Sequence, residues 1–406
     1  YFCSLTPHSP SGARKLRTVI PRTMLSVDDA LLLSTDSIPM SNFLKRRDRL
    51  RKVIRHQQAE ALLVTNPVNV TYLTGFTGGD SYLLVTQQSD LLLSDPRYEE
   101  QIGEESPGLS VFIREPGELL SEVTIDELNK LGLKSLAVEG DHLTVNTFDV
   151  WQRELNAESL LKASGWVEGL RAIKDKEELA AIRRAIDVAE RVFTSVRAQL
   201  SARQRERDVA NEIERLTRAL GGAGCAFKPI VAVGARAALP HATPGESLIG
   251  SSPFVLIDWG AIVDGYRSDL TRVLLTSKIP SKFAKVYETV LAAQSAAIEA
   301  LKPGVMVSEI DRVAREVIAR AGMGPRFNHG LGHGIGLDIH EAPRMGKKLD
   351  QPLVAGMVVT VEPGIYYTGW GGVRIEDDVL ITPGGCELLS SLPRSLQENT
   401  APLLSS

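Results

Sequence analysis

Cysteine is scarce in this chain: Cys3, Cys225 and Cys386 are the whole supply in 406 residues, and no two form a Cys-x-x-Cys pair. An odd, scattered set excludes a disulfide framework and makes a reducing cytoplasm the expected compartment. Basic excess is missing as well. The net charge of −4 leaves nothing to neutralise a phosphate backbone, which argues against a nucleic-acid partner. No apolar run approaches the ~20 residues that a membrane-spanning helix needs, and no glycine-rich motif in the first half would cradle a phosphate. Acid is absent from the first 27 residues, where Arg14, Lys15, Arg17 and Arg22 stand alone. Organelle-targeting segments share that composition. The reading favoured here is a disordered extension or a misplaced start over residues 1–40, because Met40 directly precedes a charged amphipathic helix.

What the chain does have is ordinary globular material: 43% apolar and 24% charged residues, and a length that fits two domains. From 41 to 165 helix and strand patterns alternate. A basic helix over 44–55 leads to strands at 61–64, 82–86 and 90–94, then a helix from about 97, a strand at 111–113, a helix over 119–131, a strand at 135–139 and a closing helix over 147–155. This order predicts an α/β layer on a mixed sheet. Gly165 to Arg171 reads as a linker. A second domain over 170–392 opens on a long helix from Lys174 to about Leu200, with acids in its first turn where they favour the helix dipole. Helices over 206–220, 282–301 and 308–321 alternate with strand and turn segments, and 393–406 is a tail. Two helix pairs, each ahead of a strand-rich stretch, suggest an internally duplicated α+β domain.

Within that second domain lie five metal-ligand-type residues: Asp258, Asp269, His333, Glu362 and Glu376. Asp258 and Glu362 each end an apolar strand-like run, Asp269 and Glu376 lie inside alternating β-type segments, and His333 is set among glycines. Four carboxylates and an imidazole suit two divalent cations sharing a bridging water. Asp269 and Glu376 are the candidates to bridge, Asp258 completes one ion, and His333 with Glu362 completes the other. Mn²⁺ fits the set, with Co²⁺ or Zn²⁺ as alternatives. Four of the seven histidines fall between 241 and 340, and the glycine spacing from Asn328 to Glu341 argues for a backbone packed closely against a neighbour.

The string His329 to Glu341, with Asp258-Trp259-Gly260, Ser268-Asp269-Leu270-Thr271-Arg272, Val361-Glu362-Pro363-Gly364 and Val373-Arg374-Ile375-Glu376-Asp377, resembles the pita-bread metallopeptidases. These comprise the Xaa-Pro aminopeptidases, the Xaa-Pro dipeptidases (prolidases) and the methionine aminopeptidases, together with creatinase. The first domain, including Asp95-Pro96-Arg97-Tyr98, is similar to the creatinase-type domain of the Xaa-Pro enzymes. The resemblance implies an exopeptidase that cleaves before proline at a dinuclear metal centre, and a homodimer. It implies Glu362 as general base, His340 as hydrogen-bond donor to the carbonyl oxygen, and His241 as proton donor to the leaving imino nitrogen. His329 would line the substrate pocket, and Arg374 would either support a ligand or anchor a substrate carboxylate. An Xaa-Pro aminopeptidase is the first expectation and a dipeptidase the second. A methionine aminopeptidase-like enzyme and a non-catalytic binding protein are further alternatives.

Overall fold

The computed structural model describes residues 42–349, 351–401, 403 and 404. The reading of residues 1–40, with its Met40 start, therefore lies outside the described residues. The chain divides into two compact units, one ending at Leu170 and the next beginning at Arg171.

The first unit contains α1 (Asn42–His56), β1 (Ala61–Val64), α2 (Pro67–Thr74), β2 (Ser81–Thr86), β3 (Asp90–Ser94), α3 (Glu99–Glu105), β4 (Ser110–Ile113), α4 (Leu120–Lys130), β5 (Ser135–Glu139), α5 (Val145–Glu154) and β6 (Ser159–Ala163). Its strands form one mixed sheet in the order β4-β3-β2-β1-β5-β6. The central strand β1, Ala-Leu-Leu-Val, is buried at every position, as a strand covered on both faces must be. Leu63, Leu84, Leu93, Val138 and Trp151 make the core on one side.

Three features here depart from the sequence reading. Helix α2 was not expected, because its β-branched Val68, Val70 and Thr71 resemble a strand. Its ends were nevertheless written: Asn66 caps the Val68 N–H with Pro67 in the first turn, and Gly75 closes it in the left-handed conformation. Strand β6 extends the sheet beyond α5, parallel to β5. The stretch read as a linker is instead a short helix, α6 (Trp166–Arg171), whose Val167 and Arg171 are buried.

The second unit opens with α7 (Lys176–Ala198), started by a reciprocal capping box between Asp175 and Glu178, and α8 (Glu206–Ala219). Then follow β7 (Gly224–Cys225), β8 (Ile230–Val233), β9 (Phe254–Trp259), β10 (Ala261–Val263), β11 (Tyr266–Arg267) and β12 (Leu270–Leu275). A second helix pair, α9 (Ser281–Ala300) and α10 (Val307–Arg320), precedes β13 (Gly332–Gly334), β14 (Glu341–Met345), β15 (Val358–Val361), β16 (Gly364–Tyr367), β17 (Gly371–Arg374), β18 (Asp377–Thr382) and β19 (Gly385–Leu388). The helix-pair-then-sheet order thus occurs twice. The sheet β12-β9-β8 follows the first pair and β14-β13-β15-β18-β19 follows the second. The two sheets meet at a bridge between Thr271 and Glu376. Arg272, which is fully buried, ties this junction with bonds to the Glu376 carbonyl and the Asp377 carboxylate, both at 2.6 Å.

Candidate metal centre

The bridge at Thr271 brings strand ends from both sheets to one floor. Asp258 sits near the end of β9, opposite Thr271 on β12. Asp269 immediately precedes β12, Glu362 immediately follows β15, and His333 is the middle residue of β13. Asp269 and Glu376 were expected inside strands, but both lie at breaks between them. The cause is local bonding. The Asp269 N–H leaves the ladder to reach the Asp378 carboxylate at 3.1 Å, and the Glu376 N–H finds only the Thr271 carbonyl at 3.2 Å. Each break turns a carboxylate out of the pleat and into the cavity.

All five expected ligands line one cavity of about 700 Å³. Donor atoms of Asp269, His333 and Glu376 lie within 4.8 Å of one another. The His333 Nε2 is 3.4 Å from Glu362 and 3.6 Å from Asp269. Its Nδ1 faces the Gly334 carbonyl at 3.1 Å, which assigns the proton to Nδ1 and aims the Nε2 lone pair at the carboxylates. Asp258 stands apart from this three-residue group, with Oδ2 paired to the Arg374 guanidinium. Its Oδ1 and the Oε1 of Glu376 are buried with no hydrogen-bond partner.

Burial pushes the carboxyls of Asp258, Asp269, Glu362 and Glu376 upward, Glu362 to about 8. Mutual repulsion adds to the effect, most widely at Asp269 and Glu376. Unpartnered buried oxygens on crowded carboxylates fit a cationic occupant; with neither a cation nor a proton they are costly. The residues present therefore suit divalent metal.

Close backbone packing supports His333. A Cβ on Gly332 would stand 2.1 Å from the Thr360 carbonyl oxygen, so no other residue can flank the imidazole there. The turn behind it is pinned by the buried Glu341 carboxylate, which accepts from the Asp338 N–H at 2.9 Å and from Lys174 at 3.3 Å, and pairs with Arg171.

Other expected site residues fall around the same cavity. His241, His329 and His340 all line it. The His340 ring packs edge-on against His333 at 4.3 Å. Burial lowers the pKa of His329 and His333 to about 4 each, and burial with nearby Arg344 and His241 lowers that of His340, so these rings are neutral near pH 7. Arg374 reaches Asp258, Thr271 Oγ1 at 3.1 Å and Tyr366 Oη at 2.9 Å. Of the two roles expected for it, support of a ligand matches this bonding. A buried guanidinium committed on every nitrogen is poorly placed to anchor a substrate carboxylate.

Four residues were missed. The Thr271 hydroxyl donates to Glu376 at 2.6 Å, the Thr360 hydroxyl donates to Glu362 at 3.2 Å and accepts from the His333 N–H at 3.1 Å, and Asp378 holds the Asp269 N–H. Each is two residues from an expected ligand, the spacing that period-2 reasoning follows, so that reasoning could have found them. Tyr366 accepts from Arg374 and meets His329 Nε2 at 3.0 Å; nothing in the sequence singled it out.

Comparison with known proteins accords with this architecture. The chain matches metallopeptidase family M24 over residues 180–383 and the creatinase/prolidase N-terminal domain over residues 46–173. It is 35% identical to an Xaa-Pro dipeptidase of Pyrococcus furiosus over 355 residues, covering 87% of this chain and 99% of that one. Among solved structures, an Xaa-Pro dipeptidase from Bacillus anthracis superposes with a TM-score of 0.84 at 34% identity, over 87% of this chain and 99% of its own. An X-Pro aminopeptidase from Thermotoga maritima gives 0.78 at 35% identity, over 86% and 99%. Among the described residues no helix is long and apolar enough to cross a membrane. The chain belongs to metallopeptidase family M24, with a creatinase-type α/β domain ahead of a pita-bread catalytic domain.

Proposed function

We propose that this peptidase is an Xaa-Pro dipeptidase whose two divalent cations, Mn²⁺ in the first instance, are held by Asp258, Asp269, His333, Glu362 and Glu376. The convergence of these five side chains on one cavity floor carries the reading. The order of preference is the reverse of the one reached from sequence, where the aminopeptidase stood first. Two of the relatives described above are named Xaa-Pro dipeptidases, and the cavity wall supports them. Arg344 and Lys228 are exposed on that wall and have no carboxylate partner among the described residues. An unpaired cation there suits the carboxylate that a dipeptide carries immediately after its proline. The Thermotoga relative favours the aminopeptidase as the second reading.

When bound, the cations would supply a water nucleophile at neutral pH and polarise the scissile carbonyl. The remaining work falls to side chains. Glu362, whose carboxyl burial makes unusually basic, accepts the proton of the attacking water. The neutral His340 imidazole donates a hydrogen bond to the carbonyl oxygen as charge develops on it. An Xaa-Pro bond has no N–H, so its leaving nitrogen must gain a proton from outside, and His241, exposed at the cavity rim, provides it. His329 holds its place in a chain of bonds from Arg374 through Tyr366 and presents a neutral ring to the substrate. A cytoplasmic setting suits the free thiols of Cys225 and Cys386, and the homodimer implied by the resemblance is part of the same proposal.

The test is turnover of Mn²⁺-loaded protein on Ala-Pro beside a longer Xaa-Pro peptide, with chelated protein as control. Cleavage of Ala-Pro alone, lost on chelation, is expected. Efficient cleavage of the longer peptide would restore the aminopeptidase reading, and turnover that survives chelation would remove both.

A further inference from the structure

The histidine at the cavity rim has no side-chain support. Among the described residues no hydrogen bond reaches the ring of His241, so its backbone alone sets its position. That backbone belongs to a loop leaving β8 at Val233 and returning at Gly245, and both ends are fastened to one carboxylate. Glu206, the first residue of α8, is fully buried. Its Oε1 accepts the Val233 N–H at 2.8 Å and its Oε2 accepts the Gly245 N–H at 2.8 Å. Arg236, inside the loop, places Nε at 3.0 and 2.8 Å from those two oxygens, and its Nη2 donates across the loop to the Thr243 carbonyl at 2.6 Å. The inner side rests on β17, where a Cβ on Gly372 would stand 2.2 Å from the Ala237 carbonyl oxygen. The Leu239 side chain, beside His241 at the tip, is exposed. A desolvated carboxylate is costly unless its oxygens are paired and hydrogen-bonded, and the bonds that offset the cost at Glu206 come from Val233, Arg236 and Gly245 of this one loop.

We propose that the Glu206–Arg236 pair is a positioning device for His241, holding its imidazole where the leaving nitrogen of the substrate arrives. The inference rests on the proton-donor role given to His241 above. Neither Glu206 nor Arg236 lines the cavity or touches an expected metal ligand, so the pair acts through the loop alone.

A double-mutant cycle on the metal-loaded full chain, with Ala-Pro as substrate, tests it. His241→Ala should lower kcat by about 10²-fold, as loss of a general acid does. Arg236→Met should lower kcat about 10-fold through displacement of the loop, with metal content by mass spectrometry and KM little changed, and Arg236→Lys should recover part of the loss. The double variant should be within about 3-fold of His241→Ala, because a misplaced donor cannot be lost twice. Glu206→Gln, which keeps one acceptor oxygen but not the ion pair, should repeat the pattern. Multiplying effects in the double variants, or an unchanged kcat in both Arg236→Met and Glu206→Gln, would overturn the proposal. Unchanged kcat in His241→Ala alone would instead show that the donor role is wrong, and the positioning role with it.

Discussion

Thr271→Val removes one oxygen from the centre of the site and almost nothing else. Thr271 is fully buried on β12, and valine keeps its β-branched shape, so strand geometry and packing should survive. The lost hydroxyl donates to Glu376 Oε2 at 2.6 Å and accepts from Arg374 Nε at 3.1 Å. Through Arg374 it also steadies Asp258. Hydrogen bonds to charged groups are worth about 1.5–3 kcal/mol each, and Glu376 would lose one of the few interactions favouring its ionised form. If about half of one such bond shows up as weaker cation binding, affinity falls about 4- to 13-fold. The whole of one bond would correspond to about 10- to 150-fold, which overlaps the usual range of about 10- to 100-fold for groups that support metal ligands. Competition against a fluorescent chelator at pH 7 measures this directly, with circular dichroism to establish an intact fold. Mn²⁺ affinity within 2-fold of the parent protein would refute the reasoning, since the hydroxyl would then be packing rather than support.

His340→Ala should leave metal content unchanged and lower kcat on Ala-Pro by about 10²–10³-fold, the loss expected for one oxyanion donor; a normal kcat would reassign the ring to packing against His333. Gly332→Ala should abolish metal binding, because its Cβ would collide with the Thr360 carbonyl, whereas Gly384→Ala, with nothing within 4 Å, should be silent. The metal-free protein should lose stability as pH rises from about 6.5 to about 8. Glu362 titrates near 8 in the folded chain against a usual 4.5, so the folded state binds its proton more tightly, and that stabilisation fades as pH climbs to 8. His329 and His333, lowered to about 4 from 6.5, act in the opposite sense but only below about 6.5, where unfolded imidazoles gain protons. Scanning fluorimetry of chelated protein should therefore show a falling Tm across that window, and a flat or rising Tm would contradict the assignment.

Strong local signals were legible in the sequence. The strand Ala61–Val64 and the four long helices of the second unit sit within a few residues of where periodicity puts them, because long apolar stripes leave little choice. The weak places were short elements with mixed cues, such as α2, whose β-branched residues conceal a helix defined only by its ends. The ligands were legible as residue types at strand ends, yet their aim was not. Asp269 points into the cavity because its own N–H is captured by Asp378, more than a hundred residues later, and no local pattern encodes that. The choice between the two roles the sequence offered for Arg374 was equally hidden, since its three partners come from β9, β12 and β16.

Charge decides what this cluster can hold. Four carboxylates, Asp258, Asp269, Glu362 and Glu376, share a buried floor with the single guanidinium of Arg374, while His329 and His333 are neutral. The chain alone cannot keep all four ionised, and their upward shifts express that. One divalent cation beside Arg374 would still leave the set a charge short. Two bring it to a single positive charge, at which an anionic partner is attracted rather than repelled. Charge therefore argues for the second ion independently of ligand count. It also separates the two arginines of the cavity: Arg374, bonded to Asp258, Thr271 and Tyr366, belongs to the counter-charge, so under the dipeptidase proposal the substrate carboxylate would be met by a cation without such bonds, such as exposed Arg344.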